Sequence, residues 1–194
     1  MMIKLTRPDC PHPDALDNGN YKHHLNKEAL KKANFDKCMY CESKISHIDF
    51  AHVEHYKPKA KDKYPELEFE WTNLGYACPK CNNNKSDEFH EDFPYIDPYS
   101  EEPSEYFLAH GTWLFVKQGS ERADLTIRDI ELNRPELLEK RLEKVTEIQN
   151  AITACFRTTN KALRDMALQE LTREAESDKE YSFFVKSLIA AHAT

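Results

Sequence analysis

The chain has 194 residues, of which 40% are apolar and 31% are charged, and it contains only four glycines. This composition predicts a helix-rich globular protein of one domain with an appendage, or of two small domains. No apolar run approaches the roughly 20 residues that span a bilayer, and the first residues lack the apolar region of a signal peptide. A cytoplasmic protein is therefore expected, and the net charge of −7 argues against indiscriminate coating of nucleic acid.

The first part of the chain is predicted to be an irregular arm over residues 1–21, because it contains three prolines and an Asp-Asn-Gly-Asn stretch. A core domain over residues 22–92 is expected to follow. It opens with a short helix at residues 22–35, for which Asn26 is placed as the cap.

Within this core, β-branched and aromatic residues at 48–56 predict a strand that ends before Pro58. A second extended piece is expected at residues 68–71, and a short helix at residues 82–87. Strand, loop, strand and helix would then follow one another.

The remainder, residues 93–194, is predicted to hold a stiff linker, a hairpin and a helical region. The hairpin is expected within residues 105–117, with a turn at His110-Gly111. A long helix would begin at Pro135, capped by Asn133, and two more helices would cover residues 161–174 and 179–192. The apolar stripe of the long helix recurs every three or four residues, at Leu138, Leu142, Val145, Ile148 and Ile152.

Four of the six cysteines form two Cys-x-x-Cys pairs, Cys38 with Cys41 and Cys78 with Cys81. A reducing cytosol makes a disulfide framework improbable, and two such pairs are typical of a tetrahedral Cys₄ zinc site. A redox motif is disfavoured, because neither pair opens a helix after a buried strand in a βαβ pattern.

The segment between the pairs holds the residue types that phosphodiester hydrolysis needs. His55 is the predicted general base, since its ordinary pKa lies near working pH. Glu54 offers a hard oxygen ligand for a divalent cation, and Asn82 offers a second oxygen through its amide. Asn73 is expected to hydrogen-bond the backbone near the base and to orient the imidazole.

A basic stripe of four lysines within seven residues lies beside these groups, at positions 57, 59, 61 and 63, with only Asp62 opposing it. Such a run by itself is more often a solvated loop. Next to the predicted site, Lys57 and Lys59 are interpreted as phosphate contacts that position a substrate without reading its sequence.

These motifs together resemble the HNH endonuclease family, in the order Cys-x₂-Cys, Val-Glu-His-Tyr-Lys-Pro, Trp-x-Asn-Leu and Cys-x₂-Cys-Asn-x-x-Lys. The resemblance implies a ββα-metal fold for about residues 36–88 in an α+β protein, with structural Zn²⁺ on the four cysteines and Mg²⁺ or Mn²⁺ at the active site. It implies these roles: Glu54 and Asn82 as cation ligands, His55 as base, Asn73 as the middle asparagine and Lys85 as a phosphate contact. The implied enzyme is a hydrolase of nucleic-acid ester bonds. DNA is the favoured substrate, and RNA remains open because the two share the phosphate.

A narrower resemblance rests on Glu54-His55-Tyr56-Lys57-Pro58-Lys59, on Trp71-Thr72-Asn73-Leu74, and on the later Thr126-Ile127 and Leu132-Asn133-Arg134. These sequence segments resemble those of PtuB-like proteins, the nuclease subunits of Septu and retron anti-phage systems. That resemblance implies a PtuA-like ATPase partner, which the C-terminal helices would contact; the same helices could instead bind a second copy of the chain.

One position departs from the pattern, because the family more often has Asp or His where this chain has Glu54. Neighbouring residues of a regular strand also point to opposite faces, so Glu54 and His55 share a site only if the strand ends or bulges there. Since His52 would share a face with Glu54, we hypothesise that it is an auxiliary group of the metal site.

Two alternatives to the nuclease remain open. The cysteine pairs could define a non-catalytic zinc-ribbon module that holds nucleic acid through residues 57–63. The chain could also act as an assembly subunit through its C-terminal helices, a role compatible with catalysis.

Overall fold

The computed structural model describes residues 3–45 and 51–192. These ranges contain seven α-helices and two antiparallel strand pairs, which confirms the predicted α+β class. Residues 48–50 of the expected first strand lie outside the described ranges. The domain boundaries at residues 21 and 92 remain predictions.

The N-terminal segment is more ordered than expected, because helix α1 (Pro13–Asp17) lies within it and Leu16 is buried. Arg7 fastens this segment to the core by donating to the backbone carbonyls of Trp71 and Leu74. The prediction of an irregular arm was therefore wrong over α1, where Pro13 occupies a first-turn position that suits proline.

Helix α2 (His24–Ala33) has no side-chain cap, so the prediction that Asn26 caps it was wrong. Asn26 lies inside the helix and is fully buried. Its amide accepts from the backbone N–H of His12 and donates to the carbonyl of His12, each at 3.0 Å. Both of its polar atoms thus bond the preceding segment instead of the helix end.

The ββα unit consists of strand β1 (His52–His55), strand β2 (Leu74–Ala77) and helix α3 (Pro79–Lys85). The strands pair antiparallel, with Glu54 opposite Gly75. Gly75 is required there, because a Cβ would overlap Met39 Sδ. Close packing against the first cysteine pair therefore requires a glycine at the position opposite Glu54.

Two details of this unit differ from the sequence expectation. Residues 68–71 are not a strand: Pro65–Leu67 and Trp71–Asn73 form short 3₁₀ helices, and the strand begins after them. Helix α3 begins at Pro79 and not at Asn82, since proline suits the first helical position and Cys78 Sγ accepts from the backbone N–H of Cys81 at 3.4 Å.

The predicted hairpin is confirmed as strands β3 (Phe107–His110) and β4 (Trp113–Val116). Gly111 in its turn has φ of 58°, a conformation that glycine adopts without strain. Helix α4 (Glu121–Asp129) follows, with Ser120 accepting from the backbone of Ala123 as its cap.

The C-terminal region contains helices α5 (Pro135–Arg157), α6 (Lys161–Arg173) and α7 (Ser182–His192), and α5 packs against both of the others. Asn133 does not cap α5, because its amide bonds both backbone groups of Leu114 on the hairpin. Arg134 occupies the cap position without a side-chain bond.

The buried stripe of α5 starts one residue earlier than the sequence pattern indicated. Leu137 and the fully buried Arg141 occupy its first two turns, whereas Leu142 is 55% exposed. Arg141 donates to the Thr112 carbonyl and to Asn133, which fixes the rotation of the helix against the hairpin. In the described ranges, no helix combines the length and apolar character needed to cross a membrane.

Candidate active site and metal centre

The four cysteines of the two pairs come together, with their sulfur atoms all within 4.8 Å of one another. A tetrahedral zinc ion with bonds of about 2.3 Å needs sulfur atoms roughly 3.8 Å apart, and Cys41 and Cys78 lie at 3.9 Å. Backbone N–H groups of Tyr40 and Cys81 donate to the sulfurs of Cys38 and Cys78, each at 3.4 Å. The donor set and its geometry fit a structural zinc site.

The first cysteine pair is attached to the C-terminal region by a buried ion pair that sequence reasoning missed. Lys37 Nζ lies 3.2 Å from Glu42 Oε1, and each side chain is 2% exposed. Ser182 donates to the same oxygen at 2.8 Å, and the backbone of Phe183 donates to Oε2 at 3.3 Å. Lys37 also donates to the carbonyl of Lys179. The start of α7 is therefore bonded directly to the cysteine turn.

A cleft of about 650 Å³ opens where β1 faces the ends of α2 and α3. Its lining includes five of the residues singled out from the sequence, and Asn73 lies behind it as described below. The lining residues that concern the chemistry are His52, Glu54, His55, Lys59, Asn82 and Asp87.

Glu54 is 3% exposed and is held through one carboxylate oxygen. Oε1 accepts from Tyr40 at 3.1 Å and lies 2.9 Å from Lys85 Nζ. Oε2 has no bonded partner among the described residues. Burial raises the pKa of this carboxyl, while Lys85 and the Tyr40 bond lower it. Glu54 thus lines the cleft with one oxygen fixed and the other free.

His55 is the last residue of strand β1, and it lines the cleft together with the adjacent Glu54. Its Nε2 lies 2.9 Å from the carbonyl oxygen of Glu68. Because a carbonyl only accepts, Nε2 must carry the proton, and Nδ1 keeps a free lone pair. Burial lowers the pKa of His55, which favours the neutral imidazole, and Tyr21 packs edge-on against the ring at 4.7 Å.

Asn73 is buried behind the histidine and bonds the loop between β1 and β2 at two points. Its amide accepts from the Lys57 N–H at 2.8 Å and donates to the Lys57 carbonyl at 2.9 Å. It also donates to the carbonyl of Leu67 at 3.1 Å. Leu67 precedes Glu68, whose carbonyl holds His55. Asn73 therefore fixes the backbone on both sides of the imidazole.

The three consecutive asparagines of α3 have different surroundings. Asn82 and Asn83 both line the cleft, and neither side chain has a hydrogen-bond partner within the part of the chain that the structure describes. Asn84 instead donates to the carbonyl of Ile130 and to Glu131. The amide oxygens available to the cleft are therefore those of Asn82 and Asn83.

The three lysines expected at a phosphate have unequal positions. Lys85 is 1% exposed and donates to Glu54 and to the His55 carbonyl, so its ammonium is enclosed and holds the acid in place. Lys57 lies over the rings of Tyr64 and Phe89 and is not part of the cleft lining. Lys59 lines the cleft but is paired with Glu68 at 2.7 Å.

Other cleft residues were not found from the sequence. Lys22 and Lys27 line the same cleft as His52, and both lower the pKa of His52, although burial is the larger cause. Tyr40 also went unrecognised, since a tyrosine inside a Cys-x-x-Cys pair gives no sign of a bond to Glu54. The tertiary packing of segments that are distant in sequence brings these groups to the site.

Comparison with known proteins agrees with this geometry. Residues 38–88 match the family model for the HNH endonuclease, which spans both cysteine pairs and the cleft residues of β1 and α3. The ββα unit is therefore an HNH-type domain, as the sequence motifs predicted.

The whole chain is similar to the Septu protein PtuB of Bacillus thuringiensis, with 28% identity over 217 aligned positions that cover 97% of this chain and 82% of that protein. It is also similar to the Septu protein PtuB of Bacillus mycoides, with 29% identity over 66% of this chain and 54% of that protein. The predicted PtuB-like character is confirmed, and the first similarity extends beyond the HNH domain into the helical C-terminal region.

Proposed function

We propose that this protein is a metal-dependent endonuclease that hydrolyses phosphodiester bonds in nucleic acid, with DNA as the favoured substrate. The observation that carries the proposal is the state of His55. Its Nε2 is committed to the Glu68 carbonyl at 2.9 Å, so Nδ1 carries the lone pair of the neutral ring, and the residue lines an open cleft together with Glu54.

In the proposed reaction, His55 Nδ1 removes a proton from a water molecule as that water attacks the phosphorus. The phosphorus–oxygen bond to the leaving sugar then breaks, and the leaving oxygen takes up a proton. The Glu68 carbonyl stabilises the imidazolium formed in the first step by accepting from Nε2. Asn73 holds in place the backbone that carries this carbonyl and the end of strand β1, so its proposed role is to orient His55.

Two further groups fit a divalent cation, because Glu54 Oε2 and the Asn82 amide both line the cleft and both lack a bonded partner in the described ranges. A bound Mg²⁺ or Mn²⁺ would supply positive charge at the scissile phosphate. Tyr40 and Lys85 hold the other carboxylate oxygen of Glu54 and so aim Oε2. We assign Lys85 this positioning role in place of a phosphate contact, and keep Lys59 as a phosphate contact.

The similarity to PtuB supports a role in Septu-type anti-phage defence, together with a PtuA-like ATPase partner. The C-terminal helices are the proposed contact region for that partner or for a second copy, since Leu163 and Met166 of α6 are 58% and 64% exposed. Light scattering and co-purification of Leu163→Glu/Met166→Glu would test this. Unchanged mass and unchanged partner recovery would exclude α6 as the contact.

The test of catalysis compares the wild type with His55→Ala on plasmid DNA and on RNA, with and without Mg²⁺ or Mn²⁺. Loss of the base should lower the cleavage rate at least about 100-fold. His90→Ala is the matched control, because His90 bonds Asp129 outside the cleft. Equal cleavage by His55→Ala would contradict the proposal. Salt-sensitive binding without cleavage, unaffected by loss of Glu54 or His55, would instead support the non-catalytic zinc-ribbon module.

A further inference from the structure

A second groove adjoins the cleft on the far side of helix α3. It has a volume of about 400 Å³, and its lining includes Asn83, Lys80, Lys44, Lys140, Arg134 and Glu136. Asn83 also lines the cleft that contains His55. The two depressions therefore meet at this residue, next to the proposed cation ligand Asn82.

The second groove is basic. Lys44, Lys80 and Lys140 are all exposed, and none has an ion-pair partner among the described residues. Arg134 is already engaged, because it donates to Cys81 Sγ at 3.5 Å and to the Glu131 carbonyl. Arg134 is thus the cationic partner of the sulfur cluster. The three lysines have no anionic partner among the described residues.

The apolar residues of this groove do not form a docking surface for a protein. Ile45 and Leu137 line it but are only 8% and 2% exposed, so they form the floor beneath the charged groups. The centres of protein interfaces are depleted of charged residues, whereas five of the eleven residues that line this groove are charged. Three lysines without ion-pair partners and Arg134 outnumber Glu136 along this groove, and such an excess of positive charge is the electrostatic footprint of a polyanion-binding surface.

We infer that the nucleic-acid strand continues from the cleft across Asn83 into the second groove, where Lys44, Lys80 and Lys140 bind backbone phosphates next to the scissile one. The inference rests on the proposed function. It also gives α5 a part in substrate binding, because Lys140 belongs to that helix. Contacts of this kind hold the strand in register without reading its bases.

The experiment measures oligonucleotide binding by fluorescence anisotropy over a series of salt concentrations. All proteins carry His55→Ala and are tested with Mg²⁺, so that the strand stays intact. Lys80→Gln/Lys140→Gln removes two charges from the groove. Lys61→Gln/Lys63→Gln is the matched control, since both of those lysines are exposed, lack ion pairs in the described part of the chain, and line neither depression.

Lys80→Gln/Lys140→Gln should weaken binding about tenfold and reduce the salt slope of the logarithmic affinity by between about one and two, because each lost phosphate contact removes about 0.7 to 0.9. The control pair should bind within about twofold of the parent. Equal weakening by both pairs, no weakening by the first pair, or no binding by the parent would overturn the inference. The proposed chemistry is judged separately, by cleavage in wild type against His55→Ala.

Discussion

Two buried lysine–glutamate pairs involve residues of the HNH-type domain, and they differ in which carboxylate oxygens remain free. In the pair of Lys37 and Glu42, both carboxylate oxygens accept hydrogen bonds, from Lys37, Ser182 and Phe183. In the pair of Lys85 and Glu54, only Oε1 has a bonded partner among the residues that the structure describes, although the burial is similar. A buried carboxylate with both oxygens bonded fastens parts of the fold together, whereas one with an oxygen free beside a cleft is available to a ligand.

The Lys37–Glu42 pair also sits in a strained turn. Glu42 has φ of 63°, a left-handed conformation that a residue other than glycine keeps only where its surroundings enforce it. The surroundings here are the cysteine turn on one side and the first residues of α7 on the other. This pair therefore links the metal centre to the C-terminal helices, while the Lys85–Glu54 pair links it to the cleft.

The largest expected effects come from neutralising each acid in turn. Glu42→Gln should lower the free energy of unfolding by about 3–5 kcal/mol, because it leaves the Lys37 charge buried without its partner. Cleavage per folded molecule should stay within about threefold of wild type. Urea unfolding and cleavage rates measured on the same preparations give both quantities.

Glu54→Gln is the matched variant and should also lose stability, since Lys85 is left unpaired. Unlike Glu42→Gln, it should lower the cleavage rate at least about 100-fold, because Glu54 is a proposed ligand of the cation. This loss exceeds the one expected for a residue that only supports a metal ligand. If Glu42→Gln lost as much cleavage per folded molecule as Glu54→Gln, the division between a structural pair and a functional pair would be wrong.

An intermediate effect is expected at Asn73, which is fully bonded like Glu42 but lies next to the proposed base. Asn73→Ala removes three hydrogen bonds and should cost about 1–3 kcal/mol of stability. Cleavage should fall about tenfold, because the backbone that orients His55 loosens.

Asn84→Ala is the control for this variant, since Asn84 bonds Ile130 and Glu131 outside the cleft. It should lose stability and keep its rate. Loss of stability without loss of rate in Asn73→Ala would exclude the orienting role.

The smallest effect is expected at His52, which lines the cleft and is only partly buried. His52→Ala should change stability by less than about 0.5 kcal/mol. If His52 is an auxiliary group of the cation site, Mg²⁺ affinity should fall by about tenfold or less. Calorimetric titration with Mg²⁺ measures this, and unchanged affinity together with an unchanged rate would end the hypothesis.

Local sequence pattern was a good guide to the hairpin turn and to the cysteine pairs, although it missed the helix that begins at Pro13 and the start of helix α3 at Pro79. The turn at Gly111 and the cysteine spacing of the HNH domain depend on residues a few positions apart, and the structure agrees with both. The predicted caps at Asn26 and Asn133 were wrong, because each amide bonds a distant backbone segment, that of His12 or Leu114. The stripe of α5 was predicted correctly at Val145, Ile148 and Ile152, but in its first two turns Leu137 and Arg141 are buried in place of Leu138 and Leu142.

The sequence by itself determined which candidate groups the protein has, through two Cys-x-x-Cys pairs and an ordered set of acid, histidine and asparagines that matches the HNH pattern. The tertiary structure decided what each group is free to do. Lys85 and Glu54 are 31 positions apart along the chain, and only the packing of α3 against β1 joins them. Because hydrogen-bond partners far apart in sequence are set by packing, the free oxygen of Glu54, the free nitrogen of His55 and the second basic groove are visible only in three dimensions.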